Sequence, residues 1–219
     1  MTTAVLTDYS QIISRLPAGS EIILREQTFE DYEEILESVG ESGGLRISYN
    51  GEKIKIMTLS TEHEKYVRFI ERVIDNLSMR RRIKILSFGS ATMKSSRREK
   101  GSEPDCSFYV QNADSIGELE SLDFQRDLPP DIVVEIDIYH SSTEKFDIYS
   151  KLEVPEFWLY DGNQMKIYKL VGGDYSEVKN SPALPILSGQ TLTDFLEQLK
   201  SSDQYDVLIQ FEKWLENQE

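Results

Sequence analysis

Apolar positions along the chain switch repeatedly between a helical spacing and strict alternation, which is the pattern of helices interleaved with strands. Phe29, Tyr32, Ile35, Leu36 and Val39 predict a first helix from Thr28, stopped at Gly40 and followed by the punctuation Ser42-Gly43-Gly44. Leu45 to Tyr49 then alternates, turns at Asn50-Gly51 and resumes as Lys53 to Met57, the signature of a hairpin. From Thr61 to Ser78 a stripe of Tyr66, Val67, Ile70, Val73, Ile74 and Leu77 predicts the longest helix, with Thr61 and Glu64 at the spacing of a capping box.

Short strands are expected at Ile83 to Phe88, Ala91 to Lys94 and Asp105 to Val110, with a basic loop before the last of them. After the turn-rich approach to Pro129-Pro130, Asp131 to Tyr139 alternates again. Ile132, Val134, Ile136 and Ile138 share one face; Asp131, Val133, Glu135, Asp137 and Tyr139 share the other. A helix around Ser142 to Leu152, a strand at Glu156 to Tyr160, a hairpin of Met165 to Val171 with Tyr175 to Val178, and two amphipathic closing helices complete the pattern. The mixture predicts an α/β (α+β) fold with one central mixed β-sheet flanked by helices. At 219 residues the chain is expected to form a single domain, with a short N-terminal extension over 1–27 and closing helices within 191–217.

Charge narrows the classes of function. Twenty-four Lys and Arg stand against 39 Asp and Glu, a net charge of −15, so a surface that coats nucleic acid or anionic membrane as a whole is excluded while a local basic patch is not. Such a patch exists in sequence: between Arg80 and Lys100 lie Arg80, Arg81, Arg82, Lys84, Lys94, Arg97, Arg98 and Lys100 against Glu99 alone. It can contact phosphates, or it can be the basic end of a helix followed by a solvated loop. One cysteine, Cys106, rules out an internal disulfide and suits a reducing cytoplasm. No apolar run is long enough to cross a bilayer, and Met1 to Arg15 lacks the basic start and long apolar core of a signal peptide. Walker loops, His-Glu-x-x-His, paired cysteines and a nucleophile elbow are all missing, which argues against nucleotide motors, zinc proteases and α/β-hydrolases.

Candidate chemistry concentrates on carboxylates. Glu135 and Asp137 project from one face of a core strand, about 6.6 Å apart by the rise per residue. Two ionised carboxylates away from water repel each other and lack solvation, which a divalent cation relieves; the alternative is a face open to solvent. Asp105 opens a strand behind Glu103-Pro104, where proline places it at a strand start or edge. Glu62 is expected on the inward stripe of the long helix one turn before Tyr66, or as a first-turn acid favouring the helix dipole. His63 reads as a ligand or, more blandly, as a packed and hydrogen-bonded core residue.

These residues together carry a resemblance. Gly101-Ser102-Glu103-Pro104-Asp105-Cys106-Ser107-Phe108-Tyr109, Pro129-Pro130-Asp131-Ile132-Val133-Val134-Glu135-Ile136-Asp137, Lys145 with Tyr149, and Val154-Pro155-Glu156-Phe157-Trp158 resemble the Uma-two family of putative restriction endonucleases, within the PD-(D/E)XK nuclease superfamily. The likeness runs from about Thr28 to Trp214 and implies a restriction-endonuclease-like core and metal-dependent hydrolysis of DNA. It implies that Asp105 and Glu135 hold Mg²⁺ or Mn²⁺ with the carbonyl of Ile136 as third ligand. Glu62 matches an acid that some superfamily members place on the first core helix. Where the superfamily motif has lysine, this chain has Asp137; the resemblance moves the lysine to Lys145 on the following helix, with Asp137 as its partner or a further ligand. Lys151, on another helical face, is expected at the surface.

Two functional classes follow: a metal-dependent endonuclease acting through Glu62, Asp105, Glu135, Asp137 and Lys145, or a catalytically silent nuclease-like interaction module. The basic stretch from Arg80 to Lys100 is the expected DNA contact. A homodimer is expected from the closing helices, which present Phe195, Leu196, Phe211, Trp214 and Leu215; packing of those helices on their own core is the other outcome.

Overall fold

A computed structural model describes residues 15–40, 44–117, 123–124, 126–139 and 143–218. Its first half builds an antiparallel sheet of five strands in the order β1-β3-β2-β6-β5: β1 Glu21–Arg25, β2 Leu45–Tyr49, β3 Lys53–Thr58, β5 Met93–Ser95 and β6 Lys100–Ser102. Helix α1, Phe29–Val39, covers one face. Thr28 caps it reciprocally, its hydroxyl accepting from the Asp31 amide and the Asp31 carboxylate accepting from the Thr28 amide. Phe29, Tyr32 and Ile35 pack on Ile47, Tyr49, Ile54 and Ile56. Because residues alternate along β2, that packing turns Arg46 and Ser48 to the opposite face, where both are buried.

The second sheet has six strands in the order β11-β10-β9-β8-β7-β4: β4 Leu86–Ser87, β7 Cys106–Tyr109, β8 Ile132–Ile136, β9 Glu156–Tyr160, β10 Met165–Val171 and β11 Asp174–Val178. Only β8 and β9 run parallel, and they are joined through helix α4, Thr143–Lys151, since parallel neighbours need a crossover. This is the expected mixed sheet. The antiparallel sheet beside it was not separable in the local pattern, because β6 is three residues long and falls in what reads as a basic loop.

Three helices cover one face of the mixed sheet: α2 Thr61–Arg81, α5 Gly189–Gln198 and α6 Gln204–Glu216; the four-residue α3, Ala113–Ile116, lies at its margin. Cys106, Phe108, Ile132, Val134, Ile136, Trp158 and Tyr160 meet them there. Val133 and Phe157 point the other way, against Ile148 and Tyr149 of α4 and Met93 of β5. Both faces of β8 are therefore buried, and the solvent-facing alternative for Glu135 fails.

Several details shift from expectation. Ser60, not Thr61, caps α2, its hydroxyl accepting from the His63 amide at 3.1 Å. Helix α4 begins at Thr143, and the expected start at Ser142 lies outside the described residues, as do Met1 to Ser14 of the N-terminal extension. The extension does contribute β1, paired with β3 from Glu21↔Met57 to Arg25↔Lys53. Phe195, Leu196, Phe211 and Leu215 are buried in the chain's own core, with Phe195, Phe211 and the half-buried Trp214 packed ring to ring. The apolar face that motivated a dimer through the closing helices is thus already used. Among the described residues no helix is long and apolar enough to cross a membrane.

Candidate active site

The antiparallel register of β7 and β8 pairs Cys106 with Val134 and Ser107 with Val133. Asp105, one residue before that ladder, comes against the end of β8 beside Glu135, where it accepts from the Ile136 amide and lies within reach of His63 of α2. Pro104 and the end of the ladder bring Asp105 to the junction between the two sheets. Asp105 is 3% exposed and Glu135 1%, so neither carboxylate is solvated, and each is held by groups from other elements.

Asp105 takes three donors. Arg46 Nε of β2 reaches Oδ1 at 3.1 Å, while His63 Nε2 of α2 lies 3.0 Å from Oδ2 and the Ile136 amide donates to Oδ2 at 2.9 Å. Burial opposes its charge, but the His63 hydrogen bond and the positive charges around it outweigh that and hold its carboxyl below the usual range. His63 is the mirror case: burial pulls the imidazole down, and the bond to Asp105 and its charge raise it on balance.

Glu135 receives Lys145 Nζ at 2.6 Å and the Tyr149 hydroxyl, both from α4; the Tyr149 oxygen also lies 3.1 Å from Ser102 Oγ of β6. Burial pushes the Glu135 carboxyl up to about 7, the Lys145 ammonium pulling it down and the charge of Asp105 adding to the push. Helix α4 is fixed over the site by ion pairs to the antiparallel sheet, Glu144 with Lys53 at 2.9 Å and Asp147 with Lys100 at 2.7 Å. Lys145 is 2% exposed and Lys151 is on the surface, as expected of the two.

The other expected residues fall elsewhere. Glu62 is exposed and meets the Tyr139 hydroxyl, not Asp105. The inward stripe runs through His63, Tyr66, Val67, Ile70, Val73, Ile74 and Leu77, and this phase puts position 63 over the sheet and 62 at its margin. Asp137 lies past the end of β8, half-buried, its amide donating to the Tyr160 carbonyl at 2.7 Å. With His63, Ile136 and Tyr139 it lines a small cleft. Lys145 has Glu135 as its carboxylate partner.

The basic stretch is largely engaged within the chain. Arg80 pairs with Glu212, Lys84 with Asp114, Lys94 with Glu33, Arg98 with Glu153 and Lys100 with Asp147, and Arg81 donates to the carbonyls of Leu215 and Gln218. Much of its charge is therefore matched before any ligand arrives.

Two participants were missed. Arg46 reads as a polar position on an alternating strand, and Glu103 as a loop acid. In the fold Glu103 accepts from the Ile47 amide at 2.8 Å and the Thr92 hydroxyl at 3.0 Å, tying β2 to the entry of β7. Both line a groove open to solvent, with Leu45, Thr92 and Lys94.

The donor set suits a hard divalent cation. No three His, Cys, Asp or Glu side chains converge as a ready-made metal centre among the described residues, but Mg²⁺ is ordinarily held by one or two carboxylates with water completing its shell. Burial is the main reason the Glu135 carboxyl is raised, with the charge of Asp105 adding to it, and a cation held by both carboxylates would offset each effect.

Comparison with known proteins agrees in kind. Curated proteins give no sequence match. The solved structure of a putative nuclease from Anabaena variabilis ATCC 29413 superposes with a TM-score of 0.55 at 17% identity, over 78% of this chain and 99% of its own; at that identity it speaks for the fold. A family profile described as putative restriction endonuclease matches residues 29–200, taking in Asp105, Glu135, Lys145 and every strand but β1, and the chain belongs to this family, Uma2.

Proposed function

We propose that the protein is a divalent-metal-dependent endonuclease that hydrolyses DNA phosphodiester bonds at the Asp105–Glu135–Lys145 cluster. The observation that carries this reading is the seating of Lys145 Nζ 2.6 Å from Glu135, with Asp105 bonded to the amide of the next residue, Ile136, inside a chain of this family. Asp105, Glu135 and the Ile136 carbonyl would hold Mg²⁺ or Mn²⁺, which supplies charge for the phosphoryl oxygens and lowers the pKa of a water. Lys145 offsets negative charge beside the reacting phosphate and favours the ionised form of Glu135. Tyr149 orients Glu135 by hydrogen bonding and ties it to Ser102. Asp137 and His63, in the adjoining cleft, position water and Asp105 respectively. Glu62 is too exposed to share a buried metal directly and acts through water.

DNA would approach along the groove containing Arg46, Thr92 and Lys94, with the exposed Arg97 and Arg98 near its phosphates. A homodimer belongs to the same proposal because cutting both strands calls for two sites, as does a cytoplasmic setting that keeps the buried Cys106 reduced. The test is nicking of supercoiled plasmid with Mg²⁺ or Mn²⁺, comparing the native chain with Asp105→Ala and Glu135→Gln. Metal-dependent nicking lost in both variants is the expected result. A chain that binds DNA but never cuts it would instead be the silent interaction module, and sedimentation at 25.3 kDa at micromolar concentration would reject the dimer.

A further inference from the structure

We propose that Arg46 is the resident counter-ion that a divalent metal must displace from Asp105, and that the groove beside it receives the displaced guanidinium. The inference rests on the metal-dependent reading above and concerns how that site opens.

Asp105 offers about four acceptor positions and three are taken, Oδ1 by Arg46 and Oδ2 by His63 and the Ile136 amide. A cation cannot share Oδ1 comfortably with a guanidinium in a buried site, where like charges are poorly screened. One donor must leave. The Ile136 amide is fixed by its strand, and His63 is held by the first turn of α2 with its ring buried. Arg46 alone has a long unbranched stem and open space next to it, since it lines the solvent-open groove. Its other bond, Nη1 to the Leu45 carbonyl at 2.8 Å, is local to its own strand.

The groove also supplies somewhere for the charge to go. Glu103, two residues before Asp105, lines the same space. It accepts from the Ile47 amide and the Thr92 hydroxyl on the wall that Arg46 also lines. A swing of the guanidinium from Asp105 towards Glu103 exchanges one ion pair for another. Stranding a buried charge, the expensive event in such networks, is avoided because the incoming metal replaces the departing cation at Asp105. After the exchange a guanidinium stands in the groove, with the donor geometry that suits a phosphate oxygen.

Mn²⁺ binding to the full chain, followed by the electron paramagnetic resonance of the free ion, tests this. Arg46→Met should lower the Kd at least tenfold, about 1.4 kcal/mol, and Glu135→Gln should abolish that binding in both backgrounds. Equal or weaker binding in Arg46→Met, still dependent on Glu135, overturns the inference and leaves the metal reading standing. Absence of Glu135-dependent binding in either protein overturns both. If Arg46→Met fails to fold, the native chain decides. The ¹⁵N–¹H signal of Arg46 Nε, identified by its loss in Arg46→Lys, should be protected from water exchange without metal and lose that protection at saturating Mg²⁺. Protection unchanged at saturation overturns the displacement.

Discussion

Lys145 Nζ lies 2.6 Å from Glu135 Oε1 with both side chains sealed from solvent, at 3% and 2% exposure. Removing one partner of such a pair leaves the other charge buried and costs about 3–5 kcal/mol. Glu135 can escape that cost by taking a proton, and its carboxyl already sits high, at about 7. A folded-state pKa above the ordinary 4.5 means that stability is fully present below the ordinary value and is lost as pH rises through 7. Lys145→Met is therefore expected to lose about 3 kcal/mol at pH 8 and clearly less at pH 6, while Lys151→Met stays within about 0.5 kcal/mol at both. Adding Glu135→Gln to Lys145→Met should restore part of the loss at pH 8. Urea titrations at the two pH values measure all three, and a pH-independent loss would remove Glu135 ionisation as the cause.

The Tyr149 hydroxyl donates to Glu135 and so favours its ionised form. Tyr149→Phe removes that donor and should raise the Glu135 carboxyl further. Since Glu135 must be ionised to take up a metal, cleavage at limiting metal concentration is expected to rise with pH through about 7 in the native chain and through a higher value in Tyr149→Phe. The pH–rate profile is the check. An acid limb that does not move in Tyr149→Phe would mean that Glu135 does not set it.

What could be read along the chain and what could not divides by the range of the interaction. The stripe of α2 and the alternation of β8 are legible because each repeats a local rule of burial. Asp105, Glu135 and Lys145 were expected together only through the family resemblance, and what the fold shows of that expectation is that Lys145 meets Glu135. Arg46 looks like an ordinary exposed position between Leu45 and Ile47, and only the stacking of one sheet's face over the end of the other buries it. The choice between Glu62 and His63 turned on a phase of one residue, about 100° of rotation, which an apolar stripe starting at Tyr66 does not define. Strand β6 was hidden because Lys100-Gly101-Ser102 has no strand propensity of its own and is held by its neighbours β2 and β5. The basic stretch shows the same limit, since its acidic partners Glu33, Asp147, Glu153 and Glu212 are far away in sequence.

His63 and Asp105 predict a two-sided stability profile. Asp105 is held below its ordinary 3.8, so its contribution is present above that value and lost as pH falls through the folded one. His63 is raised above 6.5, so its contribution is full below 6.5 and lost as pH rises through the folded value. The pair is therefore worth most between about pH 4 and 6.5, and Glu135 adds to the decline on the alkaline side. His63→Gln should flatten that alkaline decline and lower the melting temperature most near pH 6. Melting curves from pH 4 to 9 decide it, and a native profile that keeps rising from pH 6 to 8.5 would contradict the pairing.

Gly101 carries the last prediction. It sits on β6, one residue before Ser102, whose hydroxyl meets Tyr149. A Cβ built on Gly101 would come within 2.3 Å of Cε1 of Tyr32 and 2.6 Å of its Cζ and Oη. Tyr32 is fully buried beneath α1 and stacked on Tyr49 with ring centroids 5.8 Å apart, so the ring has little room to yield. Either Tyr32 leaves its place, opening the core under α1, or β6 moves outward and takes Ser102 and Glu103 with it. Overpacking of this kind costs about 1–3 kcal/mol. Gly101→Ala should therefore destabilise the chain by that amount and reduce cleavage beyond the loss of folded protein, because Glu103 and Ser102 both bear on the site. Tyr32→Phe removes the hydroxyl but not Cε1 or Cζ, so combining it with Gly101→Ala should recover little, whereas Tyr32→Leu with Gly101→Ala should recover more. If Tyr32→Phe alone rescued the variant fully, the clash would lie at the hydroxyl and the close approach of the ring to β6 would not be the constraint.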